Sequence, residues 1–233
     1  MATSPVYIQI HNQIKREIES GRWAVGQRIL AERKLAVAFG VSRMTLRQAV
    51  QTLVDEGILE RRIGSGTFVA RKKVQEKMSG ITSFSELTRA QGKVPSSKTV
   101  SYRVVTPSLS EMEKLQLNEN QLVLRMERIR YADQTPICFE VATVPHDLVA
   151  NFSKQQVTSS LYRALEEHGY TIGHAQQKVS AMLASEKIAE YLQIKRGDAI
   201  LRLHQITWLT DKRPFEYVRT QYAGERFEFY LEK

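Results

Sequence analysis

The chain lacks the features that mark secreted and membrane-spanning proteins. Its 233 residues include one cysteine, Cys138, so no disulfide can form within the chain, which fits a reducing compartment. No apolar run approaches the roughly 20 residues that a membrane-spanning helix needs. The N-terminal residues also lack the basic-then-apolar order of a signal peptide. We therefore expect a cytoplasmic protein without a membrane partner.

Patterns of catalytic and metal-binding residues are missing as well. No Ser-His-Asp arrangement can be placed along the chain, and no pair of residues has the spacing of metal ligands. The histidines of the second half are scattered, and each is expected to be structural: His146, His168, His174 and His204. The sequence therefore predicts a protein without catalytic residues, metal or cofactor, and not an enzyme.

The positive charge of the chain is unevenly distributed. The formal net charge is +9, and residues 1–72 hold 12 basic and 6 acidic residues, which gives +6. The other 161 residues hold 22 and 19, which gives only +3. A basic surplus can neutralise DNA phosphates in a sequence-independent way. Because basic N-terminal halves also occur without that role, charge alone leaves DNA binding open.

The N-terminal segment has the residue order of a winged helix-turn-helix. A first helix is predicted from an apolar face with helical spacing, formed by Tyr7, Ile10, Ile14 and Ile18. A second helix is expected from about Ala31 to Gly40. A third begins at the N-cap residue Ser42 and ends before Gly57. Two β-prone runs follow, Ile58–Arg62 and Thr67–Ala70. In such a motif the second helix of the helix-turn-helix pair enters the major groove of DNA.

Two arginines on the third helix are candidates for reading DNA bases. Arg43 and Arg47 are four residues apart and share one helix face, which Thr45 and Gln48 flank. Arginine is the commonest specific reader of guanine. The alternative is a solvated face that carries two arginines. The wing glycines Gly64 and Gly66 permit close backbone approach and positive φ angles. On the wing, Arg61 and Arg62 are expected either to hold phosphates or to be solvated.

The second half of the chain has the pattern of an α+β domain with an antiparallel sheet. Strands are predicted at Thr99–Val105, Leu122–Tyr131, Pro136–Val144, Gln177–Ala184, Ala199–Leu209 and Phe215–Tyr222. Helices are predicted at Ser85–Gln91, Ser110–Leu117, Ser160–His168 and Ser185–Leu192. Residues 71–79 are polar and charged without an apolar period, which predicts an interdomain linker. The predicted domains are therefore a DNA-binding domain over residues 1–70 and a second domain over residues 80–233.

One predicted strand carries two arginines on an apolar face. Strand alternation places Arg128 and Arg130 on the same side as the apolar residues Leu124 and Met126. A partly buried arginine needs an anionic partner. That partner is either an internal carboxylate, such as Glu140 or Glu216, or a bound phosphate or carboxylate. The fork of an arginine suits the bound anion well.

Two helix starts and two strand glutamates point to the same kind of ligand. The segments Thr82–Glu86 and Thr158–Tyr162 are hydroxyl-rich helix openings, where free N–H groups can bind anions. Their alternative role is ordinary N-capping. Glu140 and Glu216 could accept hydrogen bonds from sugar hydroxyls or from an amino group. Their alternative roles are surface exposure and salt bridging.

The segment GVSRMTLRQAVQTLVDEGILERRIGSGTFV resembles the DNA-binding domain of GntR-family bacterial transcription regulators, and the resemblance covers about residues 6–70. It implies DNA contacts at Arg33, Arg43, Thr45, Arg47 and Gly64. The family commonly begins its second helix with Leu-Pro-Ser-Glu, where this chain has Ile29-Leu30-Ala31-Glu32. The capping serine is therefore absent, and a lost cap costs about 1 kcal/mol.

The second half resembles the UTRA effector-binding domain of the HutC branch of that family, whose fold is similar to chorismate lyase. The segments GITSFSE, RMERIRYADQTPICFE, SSLYRAL and FEYVRTQYAGERFEF carry this resemblance over roughly residues 80–230. Within the branch the chain is most similar to NagR-type repressors of amino-sugar utilisation. This implies glucosamine-6-phosphate or N-acetylglucosamine-6-phosphate as effector. The phosphate would meet Ser83, Phe84, Ser85, Arg128, Arg130, Ser160 and Tyr162, and the sugar would meet Glu140, Glu216 and Tyr222.

These observations together predict a cytoplasmic, homodimeric bacterial repressor. Two winged helices would bind a two-fold symmetric double-stranded DNA operator, because operator symmetry mirrors protein symmetry. The effector would weaken operator binding by favouring one arrangement of the dimer. Three alternatives stay open at this point. They are a chorismate-lyase-like enzyme, a regulator of a different anionic effector, and an architectural DNA-binding protein without an effector.

Overall fold

The chain divides into two units, residues 1–72 and residues 73–233, each with its own hydrophobic core. The computed structural model describes residues 4–71, 73–78 and 80–232. Met1, the first residue of the predicted DNA-binding domain, and Lys72 and Ser79 of the predicted linker lie outside the described residues. The boundary at residue 72 falls inside the segment 71–79 that the sequence predicts as a linker.

Three helices and a β-hairpin form the N-terminal unit, as the sequence predicts. The helices are α1 (Val6–Glu19), α2 (Glu32–Phe39) and α3 (Arg43–Asp55), and the hairpin strands are β1 (Leu59–Arg62) and β2 (Gly66–Val69). The turn between α2 and α3 forms at Gly40, whose φ of 65° ends α2 in the left-handed region. Ser42 then caps α3, since its side chain accepts a hydrogen bond from the Thr45 backbone N–H at 3.1 Å. The unit is a winged helix-turn-helix.

A six-stranded antiparallel sheet is the centre of the C-terminal unit. Its strand order is β4-β5-β6-β9-β8-β7. The strands are β4 (Pro95–Val105), β5 (Val123–Ala132), β6 (Thr135–Pro145), β7 (Ile172–Leu183), β8 (Ala199–Leu209) and β9 (Pro214–Ala223). All six predicted strands are present. The largest difference is in β7, which begins at Ile172 and not at Gln177. The α+β fold class is therefore confirmed.

Short helices cover both faces of this sheet. They are α4 (Phe84–Ala90), α5 (Leu109–Leu115), α6 (His146–Val149), α7 (Lys154–Ser159), α8 (Leu161–Glu167) and α9 (Glu186–Leu192). Leu161 and Leu165 of α8 pack on Met126 at one face, and Leu192 of α9 belongs to a separate cluster with Ile129 at the other. The alternation of side chains along β5 thus serves two cores. Helices α6 and α7 were not predicted.

Part of the predicted linker is a strand. Residues of β3 (Val74–Lys77) pair in parallel with β10 (Phe227–Tyr230), and Val74 and Phe227 are fully buried. Only four residues therefore separate the end of β2 from the start of β3. The segment 71–79 that the sequence predicts as an interdomain linker therefore includes a paired strand at Val74–Lys77. Gln75 of β3 is exposed, Glu76 is buried, and the partner strand β10 lies far away in the sequence.

Candidate functional site

The exposed face of α3 carries the predicted DNA readers. Arg43 and Arg47 are exposed, and so is Arg33 on α2. Among the residues that the structure describes, these three arginines form no ion pair. Thr45 is half-buried, and its hydroxyl lies 2.8 Å from the Ser42 Oγ. Three cationic groups are therefore presented to solvent on the helix-turn-helix, whereas Thr45 also supports the start of α3.

The tip of the wing is built on glycine. Gly64 and Gly66 have φ angles of 73° and 114°, and both residues are exposed. A Cβ atom on Gly66 would lie 2.9 Å from the Arg28 Nε, so the absence of a side chain lets this guanidinium lie against the wing. Sequence reasoning missed Arg28, because it lies in the connector before α2, outside any helix or strand pattern.

The two wing arginines are engaged within the protein. Arg61 donates to the Gln51 Oε1 at 2.7 Å and to a Glu32 carboxylate oxygen at 3.2 Å. Arg62 pairs with Glu60 and lies over the Phe68 ring at 4.3 Å. Both guanidinium groups are thus held at the surface of the unit. The structure brings them close to the helix-turn-helix without leaving them unpaired.

Sequence reasoning also missed two exposed apolar side chains near these residues. Met44 on α3 is 72% exposed, and Ile63 at the wing tip is fully exposed. Large apolar side chains in such positions are candidates for contact with thymine methyl groups. The signal was present in the sequence, because Met44 lies three residues before Arg47 and so shares its helix face.

A small cavity in the C-terminal unit gathers nine of the ten predicted effector residues. Its volume is about 60 Å³. The nine predicted residues that line it are Ser83, Phe84, Arg128, Arg130, Glu140, Ser160, Tyr162, Glu216 and Tyr222. The tenth, Ser85, accepts a hydrogen bond from the Arg130 Nη2 at 2.9 Å. The structure thus brings together residues from two helices and three strands.

Arg128 is paired inside the protein. Its Nε donates to a Glu140 carboxylate oxygen at 2.9 Å, and its Nη1 donates to the Thr158 carbonyl oxygen at 2.9 Å. Only about 4% of the Arg128 side chain is exposed. The internal ion pair that the sequence left open as an alternative is therefore present for this arginine.

Arg130 is incompletely satisfied. The group is buried, its Nη1 lies 4.0 Å from the same Glu140 oxygen, and its Nε has no hydrogen-bond partner among the described residues. The Phe84 ring centre lies 4.9 Å from the guanidinium carbon. Burial, followed by the charge of Arg128, lowers the pKa of Arg130 to about 10. This arginine still carries its charge at neutral pH and retains a free donor.

Neutral hydrogen-bonding side chains surround Glu216, which also lines the cavity. The Tyr162 hydroxyl donates to a Glu216 carboxylate oxygen at 2.8 Å. Gln205 donates from its Nε2 to the Tyr162 hydroxyl at 3.0 Å and to the Thr207 hydroxyl at 2.9 Å. Burial, with a contribution from the charge of Glu140, raises the pKa of Glu216 to about 7. This carboxyl group is therefore poised between its neutral and charged forms.

The charges in the cavity do not cancel. Burial opposes ionisation of Glu140, but the charges of Arg128 and Arg130 outweigh it and lower the pKa of Glu140. Burial raises the pKa of Glu76, which also lines the cavity, to about 7. Below pH 7 these groups contribute two positive charges and one negative charge. The cavity is therefore suited to a ligand with negative charge.

The serines that precede α4 and α8 differ in their capping hydrogen bonds. Ser83 is an N-cap, with its Oγ accepting from the Glu86 N–H at 3.3 Å and Glu86 completing a capping box. Ser160 precedes α8 and its side chain makes no capping hydrogen bond. The ordinary capping role thus accounts for Ser83 and not for Ser160.

A larger cavity of about 860 Å³ adjoins the first and shares Thr82 and Tyr162 with it. Among the described residues, its lining includes the acidic Glu86 and Glu166 and no arginine or lysine. It is therefore less suited to a phosphate. In the part of the chain that the structure describes, no group of three or more His, Cys, Asp or Glu side chains could hold a metal ion.

The sequence missed three polar residues of the smaller cavity, namely Glu76, Gln205 and Thr220. Gln205 and Thr220 interrupt apolar strands on the inward-facing side, which is a signal that alternation could have provided. Glu76 lies in the segment predicted as a linker and had no such signal. Within the described ranges, no helix combines the length and apolar character that crossing a membrane requires.

Comparison with known proteins gives concordant results for both units. Residues 6–69 match the model for bacterial regulatory proteins of the gntR family, and residues 90–228 match the UTRA domain. The chain is 31% identical over 226 residues to the HTH-type transcriptional repressor NagR of Bacillus subtilis, which covers 97% of this chain and 93% of that protein. It is 30% identical over 232 residues to the mannosyl-D-glycerate transport/metabolism system repressor MngR of Escherichia coli, with 99% and 97% covered.

Solved structures agree with these matches. PhnF from Mycobacterium smegmatis superposes with a TM-score of 0.72 at 25% identity, over 96% of this chain and 98% of that chain. A GntR-family transcriptional regulator from Enterococcus faecalis V583 is 62% identical, with a TM-score of 0.57, over 59% of this chain and 100% of that chain. The chain therefore belongs to the gntR family of bacterial transcription regulators and carries a C-terminal UTRA domain.

Proposed function

We propose that this regulator is a repressor whose affinity for a two-fold symmetric DNA operator is lowered by a phosphorylated amino sugar. The candidates are glucosamine-6-phosphate and N-acetylglucosamine-6-phosphate, bound in the cavity of the C-terminal unit. The observation that carries the proposal is the buried, incompletely satisfied Arg130 beside Arg128. The names of two relatives, NagR and the mannosyl-D-glycerate system repressor MngR, support repression and a link to sugar metabolism.

The phosphate would bind to Arg130. A buried guanidinium with a free Nε can donate to an anion, and below pH 7, where Glu76 and Glu216 are largely protonated, Glu140 alone does not balance two arginines. Ser85 already orients the Arg130 Nη2, and the backbone at Phe84 would add an N–H donor at the start of α4, since the Ser83 N–H donates to Glu86. Ser160 and Tyr162 would complete the phosphate site from α8.

The sugar would lie toward the glutamates. Glu140 and Glu216 present carboxyl oxygens, and Tyr222 offers a ring at the cavity wall. Carboxyl oxygens accept hydrogen bonds from hydroxyl groups and from a protonated amine. A sugar that bears an amino group or an acetamido group next to several hydroxyls fits this set of acceptors.

Binding would require the cavity to widen. Its volume of about 60 Å³ is well below the roughly 300 Å³ or more of most small-molecule sites. The wall elements α4 and α8 would therefore have to move apart around the ligand. A ligand that favours one conformation of a protein shifts its population toward that conformation. The need for movement thus gives the effector a means of changing DNA affinity.

The DNA side of the proposal relies on Arg33, Arg43, Thr45, Arg47 and the wing glycines Gly64 and Gly66. As a homodimer, the protein would place two copies of α3 in successive major grooves of a symmetric operator. The dimeric state and the roles of these residues belong to the proposal. Rotation of the DNA-binding units about the four residues between β2 and β3 would then change their spacing.

Thermal stabilisation by sugar phosphates tests the effector. The wild type, Arg130→Gln and the surface control Arg163→Gln would be melted with each candidate, with glucosamine and with inorganic phosphate. At a hundredfold excess over Kd, a ligand adds roughly 2.7 kcal/mol of stability. We expect stabilisation of the wild type and of Arg163→Gln by one amino-sugar phosphate, and its loss in Arg130→Gln. Equal stabilisation of all three proteins, or of none, would contradict the site.

Mass spectrometry of the recovered ligand tests for turnover.

The DNA-reading role is tested by comparing Arg47→Ala with Arg71→Ala. An operator is first selected from random duplexes, and affinities are then measured for it and for scrambled DNA. Loss of a base contact costs about 1–3 kcal/mol on the specific site only, whereas loss of a phosphate contact weakens both. We expect Arg47→Ala to reduce the ratio of the two affinities more than Arg71→Ala does. Equal reductions on both DNAs in Arg47→Ala would refute base reading by this residue.

A further inference from the structure

The side chain of Gln91 clamps the backbone of β3. Gln91 is the residue that follows the last turn of α4, and its Nε2 donates to the Gln75 carbonyl oxygen at 2.7 Å. Its Oε1 accepts from the Gln75 N–H at 3.0 Å. One amide group thus makes both hydrogen bonds that a neighbouring strand would make to this residue.

The clamp satisfies an edge that is otherwise open. Strand β3 pairs with β10 through residues on one side only, since the N–H groups of Val74 and Met78 donate to carbonyl oxygens of Arg226 and Tyr230 at 2.8 and 2.9 Å. The backbone groups of Gln75 point to the opposite side. Gln91 is their partner there, so the position of β3 depends on the end of α4 as well as on β10.

The other end of α4 contacts the effector cavity. Ser85 accepts a hydrogen bond from Arg130, and the Phe84 ring lies 4.9 Å from the Arg130 guanidinium carbon. Helix α4 has seven residues, so its two ends are about 10 Å apart at 1.5 Å per residue. About two turns of helix therefore join the arginine of the cavity to the backbone of β3.

Strand β3 is itself part of the cavity and leads to the DNA-binding unit. Glu76 lines the cavity, and four residues separate Val74 from the end of β2 at Val69. We propose that Gln91 is a positioning residue that transmits occupancy of the cavity to β3, and through it to the connection with the DNA-binding unit. This inference rests on the proposed function, because it names the route by which an anionic effector at Arg130 alters operator affinity.

The test separates coupling from binding. Operator affinity is measured with and without saturating glucosamine-6-phosphate or N-acetylglucosamine-6-phosphate for the wild type, Gln91→Ala and Gln121→Ala. Gln121 is a matched control, since its Oε1 accepts from the Asn118 N–H at 2.8 Å in a loop of the same unit. Effector and operator are coupled by about 5–150-fold in typical allosteric proteins. We expect the wild type and Gln121→Ala to fall in that range.

For Gln91→Ala we expect the effector to change operator affinity by less than about threefold, with effector Kd and effector-free operator Kd each within about threefold of the wild type. Gln91→Glu cannot donate to the Gln75 carbonyl oxygen and should show the same loss of effector response. Because glutamate keeps the size of the side chain, this variant separates loss of the hydrogen bond from loss of packing. If the effector changes the operator affinity of Gln91→Ala as much as that of the wild type, the positioning role of Gln91 is refuted and the proposed function stands. Loss of effector binding in Gln91→Ala would also overturn it. A wild type that does not respond to either sugar phosphate would instead refute the proposed function.

Discussion

Glu216 gives the C-terminal unit a dependence on pH. Burial raises the pKa of Glu216 to about 7, so between its ordinary value of 4.5 and 7 the folded protein holds a proton that the unfolded chain releases. Stability then falls as the pH rises through this window. We expect this unit to melt at a lower temperature at pH 8 than at pH 6. The difference should shrink in Glu216→Gln, whose amide oxygen can still accept from Tyr162.

The exposed Glu119→Gln is the control for this experiment and should retain the wild-type difference between pH 6 and pH 8. Circular dichroism melting at both pH values provides the measurement. Some dependence should persist in Glu216→Gln, because burial raises the pKa of Glu76 to about 7 as well. A Glu216→Gln protein with an unchanged difference would show that this carboxyl group is already ionised in the native state.

The residues of the cavity were largely predictable, but the choice of Glu140 over Glu216 as the partner of Arg128 was not. Alternation along β5 correctly places Arg128 and Arg130 on one face, and the family resemblance supplies the residues on other elements. The partner of Arg128 depends on a register shift between Arg130 and Tyr131. Beyond that shift Arg128 faces Glu140, whereas the register at Ala132 and Thr135 would have placed Phe139 opposite it. A bulge of one residue leaves no reliable sequence signal and decides which side chain faces the cavity.

Two helix starts in the N-terminal unit contrast a missing cap with a present one. Ala31 precedes α2 with extended backbone angles and no capping side chain, whereas Ser42 caps α3. A serine at an N-cap position is worth about 1 kcal/mol over alanine. We therefore expect Ala31→Ser to stabilise the N-terminal unit by about that amount and Ser42→Ala to destabilise it similarly. Urea denaturation, monitored by the circular dichroism signal of the helices, measures both changes. An Ala31→Ser protein that is no more stable than the wild type would mean that α2 cannot use the cap.

Strands β3 and β10 were not predicted from the sequence, and one physical reason explains why. Strands β3 and β10 have four residues each. They pair in parallel, although almost the whole C-terminal unit lies between them in the sequence. Periodicity within a window of residues identifies an element by one exposed face and one buried face. Strands β1 and β2 are equally short, but the turn at Gly64 and Gly66 joins them in the sequence, whereas the partner of β3 is invisible to any local pattern. The six long strands and four of the helices have such patterns and were predicted.

At the scale of the whole molecule, the two cores are expected to unfold separately. Residues 1–72 and residues 73–233 form separate compact units, and each has its own hydrophobic core. A ligand stabilises the unit that binds it, by an amount set by its concentration relative to Kd. Calorimetry should therefore show two transitions, of which an amino-sugar phosphate raises only one. Ala31→Ser identifies the other by raising it alone. A single transition that both changes shift would contradict independent units.

The parallel pairing of β3 with β10 has a consequence for newly made protein. Gln75 and Glu228, which hydrogen-bond across this pair, are 153 positions apart in the chain. At about 5–20 residues per second, a ribosome needs roughly 8–30 s to synthesise the intervening segment. The DNA-binding unit, with its complete core, emerges before that interval. Each nascent chain therefore spends several seconds with a finished DNA-binding unit whose connecting strand has no partner, and the proposed route through β3 is absent during that time.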